Sequence, residues 1–384
     1  MILSRLIVES VVNSYMKKIY LDYAATTPVK KEVLDAMLPF FGDLKTNPES
    51  AMRVFEKTIN APEGSVRFNS GGTVGSNEII RNLAYANPNK GHKIISSTVE
   101  HPAVYKVLEQ LEKEGFEICK VPVDPYGRID MSTFKRCLSD DTVLVTVMMI
   151  NNEVGTRQPI EAISQLCKAK DIPLHVDAVQ ALGNATIDVT KLDVHAMNFS
   201  AHKLYAPKGC GAVYVKPGTS LENLMNKDAC GETVVNLPYI IGFAKALELA
   251  YEHLAQNNRH KRMLKLKLAK ALMSLDCGLE INGEMPTDSD LLESASGNHP
   301  GILNVYVPHM DGDSLVINYD FNGIAISSGS ACSSGALSAS HVLMAMGRTE
   351  KEAKKCIRLT IGDLTTESEI DEVIQVTKRI LKGI

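Results

Sequence analysis

Short apolar runs and longer amphipathic stretches take turns along this chain. The runs at 143–150, 174–176 and 197–199 are almost unbroken, as expected of strands covered on both faces of a parallel sheet. Between and around them, apolar residues recur at helical spacing. Helices are predicted from 31 to about 41, over 75–85, from Pro102 onward, and over 160–170, 314–319 and 367–381, with a long helical region over 238–275. Further strands are predicted over 65–68, 93–97, 301–307, 324–327 and 356–361, and residues 47–50 read as a turn. Strands alternating with helices imply an α/β fold with a mostly parallel sheet and right-handed crossovers.

The same pattern says where polar chemistry collects. Each run delivers polar residues just past its end: His101, Asn152, Asp177 with Gln180, then Ser200, His202 and Lys203. Open α/β sheets bind ligands at the carboxyl ends of their strands, so these residues point to one site. An acid at one strand end and a lysine at another suit pyridoxal phosphate: the amine links to it covalently, and the carboxylate keeps its pyridine nitrogen protonated. An Asp and a Lys so spaced are more often two surface residues. Here the apolar flanks and the Ser-x-His-Lys cluster tip the balance. Upstream, Ser70-Gly71-Gly72-Thr73 lies between a strand and a helix, where free amides, the helix dipole and the Thr73 hydroxyl would hold a phosphate, although most such turns merely connect elements.

Composition narrows the class. A chain of 384 residues can bury a large core and is expected to form a large and a small lobe. A net charge of −4 argues against nucleic acid as a partner, and the basic run over 259–270 reads as a solvated helix face. Eight cysteines without C-x-x-C spacing suggest neither a zinc module nor a disulfide framework, and hence a reducing, cytoplasmic setting. No apolar run is long enough to cross a bilayer; Glu9 and Ser10 break the early apolar patch, which does not read as a signal peptide, and Met16 is a plausible alternative start. Cys137, Cys167 and Cys210 sit in apolar or turn patterns and read as inert. Cys332, flanked by Ser330-Ala331 and Ser333-Ser334-Gly335, reads as a reactive thiol in a loop. Arg358, on a predicted strand, is either a grip for a substrate carboxylate or an ordinary surface arginine.

Several of these pieces together resemble one family. They are Tyr20-Leu21-Asp22-Tyr23-Ala24-Ala25-Thr26-Thr27-Pro28, Glu100-His101, Asn151-Asn152-Glu153-Val154-Gly155, His175-Val176-Asp177-Ala178-Val179-Gln180, Ser200-Ala201-His202-Lys203 and Ser327-Ser328-Gly329-Ser330-Ala331-Cys332. Nearly end to end, the chain is similar to cysteine desulfurases of the NifS/IscS type, in the class V aminotransferase-like group of fold type I pyridoxal-phosphate enzymes. The resemblance implies a large coenzyme-binding domain over 19–240, with 19–30 near the small domain, and an α+β small domain over 241–384, preceded by an extension over 1–18. It implies that Lys203 holds the coenzyme and shuttles protons, Asp177 pairs with the ring nitrogen, His101 stacks on the ring, Gln180 bonds the ring hydroxyl and Asn152 positions ring and substrate. Gly72, Thr73, Ser200 and His202 would hold the phosphate, with Thr233 reaching a partner subunit's phosphate. Arg358 would hold the carboxylate of L-cysteine, and Cys332 would take its sulfur as a persulfide, releasing alanine.

The implied molecule is a homodimer that passes sulfur to an acceptor protein, either an iron–sulfur scaffold or a tRNA-thiolation protein. The alternatives are a selenocysteine or cystine lyase on the same scaffold, and a catalytically weakened relative serving as a sulfur-assembly partner. Two segments depart from the family pattern. Residues 47–70 are shorter by about a helix's worth, and 226–236 keep only Gly231-Glu232-Thr233 of a longer motif.

Overall fold

The computed structural model describes residues 19–42, 48–86, 89–219, 236–292, 297–328 and 339–382. Among these, the strands in chain order are β1 (Ile19–Tyr20), β2 (Val66–Asn69), β3 (Lys93–Ser97), β4 (Glu117–Val121), β5 (Thr142–Met148), β6 (Leu174–Asp177), β7 (Ala196–Ser200), β8 (Gly211–Val215), β9 (Glu280–Asn282), β10 (Ile302–Tyr306), β11 (Ile324–Ala325), β12 (Ser327–Ser328) and β13 (Cys356–Thr360). The main sheet has the order β2-β8-β7-β6-β5-β3-β4. From β4 to β7 the pairings are parallel, while β8 runs antiparallel to both β7 and β2. Every residue of β5, β6 and β7 is buried, which explains why their sequences are continuous apolar runs rather than alternating ones. The expected α/β fold with a mostly parallel sheet is thus what the chain forms.

A second sheet, β12-β13-β10-β9, is antiparallel throughout and closes its own core around Leu303, Val305, Leu359, Val373 and Tyr319. The N-terminal segment is stitched to this second core: β1 pairs with β11, and Asp22 bridges to Thr360. From there residues 24–30 cross back to the main sheet. Thr27 donates to the His202 carbonyl, and Tyr205 N donates to Thr27 Oγ1.

The turn expected at 47–50 is instead the start of a helix, Glu49–Thr58. Its single large anchor is Phe55, fully buried against Phe68, Phe199 and Phe243 with ring centroids 5.8, 5.5 and 4.9 Å away. One aromatic contact of this size outweighs a local turn signal. The region 238–275 is two helices, Leu237–Glu252 and Leu254–Met273, meeting at His253. The basic run on the second helix is only partly a solvated face: Arg259 and Lys270 are exposed, but Lys261, Arg262 and Lys265 are buried. Lys261 is held by Asp363 (3.1 Å) and Asn184 (2.7 Å), partners from distant parts of the chain that no local pattern announces. Nor are all the cysteines unpaired. Cys119 of β4 and Cys137, at the end of the helix Met131–Cys137, are joined as a disulfide, so Cys137 is not a free inert thiol.

Candidate active site

A cavity of about 570 Å³ opens at the carboxyl ends of β5, β6 and β7. Gly72, Thr73, His101, Asn152, Asp177, Gln180, Ser200, His202 and Lys203 all line it. The reason is topological: neighbouring parallel strands end at the same level, so successive crossovers bring residues a hundred positions apart to one rim. Thr233 and Cys332 lie outside the described residues.

Asp177 forms the floor. Its Oδ1 accepts from Val179 N (3.0 Å) and from Asn198 Nδ2 (3.3 Å), and neither bond uses Oδ2. Behind it runs a buried relay across three strands. Asn198 Oδ1 faces His175 Nε2 at 2.8 Å, and His175 Nδ1 faces Thr146 Oγ1 at 2.8 Å. Burial holds His175 down at about 4, so the imidazole is neutral at physiological pH, with one nitrogen donating and the other accepting. With Nε2 as the donor, the Asn198 oxygen is fixed toward His175 and its NH₂ toward Asp177. Burial also raises the Asp177 carboxyl to about 6, opposed by its two hydrogen bonds and by Lys203. A cation placed at Oδ2 would restore the charged form.

Lys203 ends the 3₁₀ turn Ala201–Lys203 directly after β7. Its Nζ donates to the carbonyls of Ala24 (2.5 Å) and Ala25 (2.7 Å), and Gln180 Nε2 also donates to Ala24 O (3.0 Å). The crossing segment thus positions the lysine, a role that its small residues make possible by close backbone approach. His101 caps the helix Pro102–Lys113, its Nδ1 accepting from Ala103 N (3.1 Å). Burial first, and then Lys203, lower its pKa to about 4, leaving a neutral ring with the proton on Nε2.

The opposite wall is the start of the helix Gly72–Tyr85, three residues earlier than the apolar pattern places it. Gly71 precedes it at φ 146°, no side chain caps it, and its first amides have no intrahelical acceptor. A Cβ on Gly72 would stand 3.0 Å from Val179 Cγ2, so glycine is what keeps this corner open. Together these groups form a cradle for an anion facing a carboxylate and an amine.

Arg358 departs from expectation. It is 2% exposed, neither a surface arginine nor part of the cavity lining. Nη1 donates to Asn152 O (2.9 Å), and Nη2 donates to Asp22 Oδ1 (2.9 Å) and Ser327 Oγ (3.2 Å). It stands one layer behind Asn152. Residues that sequence reasoning did not assign to the site are Asp22, Asn198 and the Ala24 and Ala25 carbonyls. Of these, Asn198 was within reach, because it lies two positions before Ser200 and so shares its face of β7.

The donor set fits pyridoxal phosphate: an acceptor oxygen left open on a buried carboxylate, a primary amine across from it, and an uncapped helix start wide enough for a phosphate. The aminotransferase class-V family profile matches residues 19–373, and the chain belongs to that family of pyridoxal-phosphate-dependent enzymes. Among its relatives is the cysteine desulfurase IscS of Clostridium botulinum (strain Hall), 38% identical over 387 residues that cover 95% of each chain. Among solved structures, a NifS-like protein superposes with a TM-score of 0.85 at 29% identity, covering 96% of this chain and 100% of that one. A structure of SspA in complex with cysteine gives 0.74 at 27% identity, covering 91% and 100%.

Proposed function

We propose that this protein is a cysteine desulfurase, dependent on pyridoxal phosphate, that converts L-cysteine to L-alanine and retains the sulfur as a persulfide on Cys332. The observation that carries this reading is the convergence of Asp177, Lys203, His101 and Asn152 on one cavity with the helix start at Gly72. Similarity to a cysteine desulfurase, and to a protein solved with cysteine, supports the choice of substrate.

When bound, pyridoxal phosphate supplies an electron sink that lets the carbon–sulfur bond of cysteine break. Asp177 Oδ2 holds the ring nitrogen in its protonated form, steadied through Asn198 and His175. Gly72, Thr73, Ser200 and His202 bind the phosphate, and Gln180 and Asn152 orient the ring. Lys203 Nζ anchors the coenzyme and later moves a proton on the substrate carbon, released from the Ala24 and Ala25 carbonyls. The neutral His101 ring can stack without charge repulsion and exchange a proton at Nε2. At Cys332 an Sγ–S bond forms as the carbon–sulfur bond breaks; the electron pair stays with carbon, which is protonated to alanine. Arg358 meets the substrate carboxylate by exchange: that carboxylate replaces Asp22 on Nη2, one anion for another.

The proposal also takes residues 19–240 as the coenzyme domain and 241–384 as the small domain. It further takes the working unit as a cytoplasmic homodimer in which Thr233 completes the partner's phosphate site, and the acceptor as an iron–sulfur scaffold or tRNA-thiolation protein. Among the described residues, no helix is long and apolar enough to cross a membrane. The test is alanine release from cysteine by protein loaded with coenzyme, alongside Lys203→Ala and Cys332→Ser. Alanine that fails to appear, or that appears equally in Lys203→Ala, refutes the activity; loss of persulfide in Cys332→Ser assigns the thiol.

A further inference from the structure

The coenzyme cavity holds one cation more than the ring and the covalent link require. Histidines aside, the charged side chains among its described lining residues are Asp177, Lys203 and Lys208. Asp177 is matched to the ring nitrogen, and Lys203 is taken up by the link to the coenzyme. Lys208 remains, five positions further on in the connection from β7 to β8. It is exposed, and it makes no ion pair among the described residues.

Backbone contacts fix where Lys208 stands. In the main sheet Gly211 pairs with Ser200 of β7 on one side and with Asn69 of β2 on the other. The connection therefore leaves and returns beside the turn that opens the helix Gly72–Tyr85, which is the phosphate end of the cavity. Ala201 N donates to Cys210 O (3.0 Å), closing the connection onto the 3₁₀ turn that carries His202. On the other flank, a Cβ on Gly211 would stand 2.7 Å from Gly71 Cα, so the two turns lie in contact. Gly209, at φ 79°, makes the bend between Lys208 and β8 in a region that favours glycine.

The other groups at that end are neutral. They are the first amides of the helix, the hydroxyls of Thr73 and Ser200, and His202. His202 Nδ1 faces Thr26 Oγ1 at 3.2 Å, and burial first, then Lys203 and Lys208, lower its pKa to about 4. A phosphate monoester carries roughly −1.5 to −2 charges at neutral pH. Neutral donors satisfy its oxygens, and the helix dipole offsets only about half a charge.

We propose that Lys208 is the cationic partner of the coenzyme's phosphate, completing a cradle whose other members are neutral donors. The inference rests on the coenzyme reading of the cavity and not on the choice of substrate. An ammonium on a flexible stem attracts the anion as it approaches and needs no preset fork to pair with it.

The experiment is equilibrium titration of the full chain, freed of coenzyme, with pyridoxal phosphate and separately with pyridoxal, which lacks the phosphate. The absorption band of lysine-bound coenzyme reports binding. Lys208→Met should weaken pyridoxal phosphate roughly five- to tenfold, as expected for one partly exposed charge-assisted contact, and leave pyridoxal within about twofold of wild type. Lys208→Arg, which keeps the charge, should restore most of the lost affinity. Added salt should weaken the wild type more than Lys208→Met, because the variant lacks the pair being screened. Equal losses for both ligands would mean that the substitution only disturbs the cavity, and an unchanged affinity for pyridoxal phosphate would mean that a protonated His202 meets the charge instead; either result overturns the proposal. A wild-type chain that forms no lysine-bound band with either ligand refutes the coenzyme reading itself, and the proposal with it.

Discussion

Replacing Asp177 by asparagine tests the core of the site, because the outcome can be worked out from which oxygen is already used. Both protein hydrogen bonds to Asp177 fall on Oδ1, from Val179 N and Asn198 Nδ2. Asparagine fits the same space and keeps those donors satisfied only with its oxygen at the Oδ1 position. Its NH₂ then occupies the place of Oδ2. A donor there can face an unprotonated ring nitrogen but not a protonated one, so the coenzyme stays bound while its electron sink is weakened. The loss is one buried, charge-assisted hydrogen bond together with its charge, about 3–4 kcal/mol in the transition state. That is roughly 10²–10³ in kcat, with little change in coenzyme occupancy. The assay is alanine formation at saturating cysteine, with the coenzyme absorption band recorded on the same sample. A turnover number within about threefold of wild type at full occupancy would show that Oδ2 does not face the ring nitrogen.

Other consequences concern stability and substrate affinity. Glu100 is fully buried, and desolvation raises its carboxyl to about 8, against 4.5 for an unperturbed glutamate. The folded state therefore holds a proton that the unfolded chain gives up, and the stability it contributes is complete below pH 4.5 and lost as pH rises through 8. Glu100→Gln should flatten the fall in unfolding free energy between about pH 5 and 8, on the order of 4 kcal/mol across that range, and denaturant titrations at several pH values will show an unchanged slope if the carboxyl is not protonated. Phe55→Ala should cost about 3–5 kcal/mol in urea unfolding, since Phe55 joins Phe68, Phe199 and Phe243; a change under about 1 kcal/mol would mean that the helix Glu49–Thr58 is not anchored there. Asp22→Asn removes the anion competing for Arg358, so KM for cysteine should fall while stability drops by about 2 kcal/mol; a KM that rises instead argues against exchange at Nη2.

Much of this molecule is written locally. The apolar runs that become β5, β6 and β7 need only burial on both faces to form strands. Once strands and helices alternate, parallel topology forces their polar ends to one rim, and nine of the candidate residues meet at that cavity. Identity along the chain therefore determined the sheet and the membership of the site. What it did not determine were the contacts made between distant segments. A turn-like start such as Pro48-Glu49-Ser50 becomes a helix because Phe55 finds an aromatic pocket far away in sequence. Lys261 and Lys265 are buried because Asp363, Asn184 and the His299 carbonyl are delivered to them by packing. Arg358 is neither a surface residue nor exposed at the cavity because Asp22 arrives from the other end of the chain to pair with it. The physical reason is common to all three: periodicity reports whether a residue faces inward, whereas the partner that meets it there is set by loop closure and packing between elements, which leave no local trace.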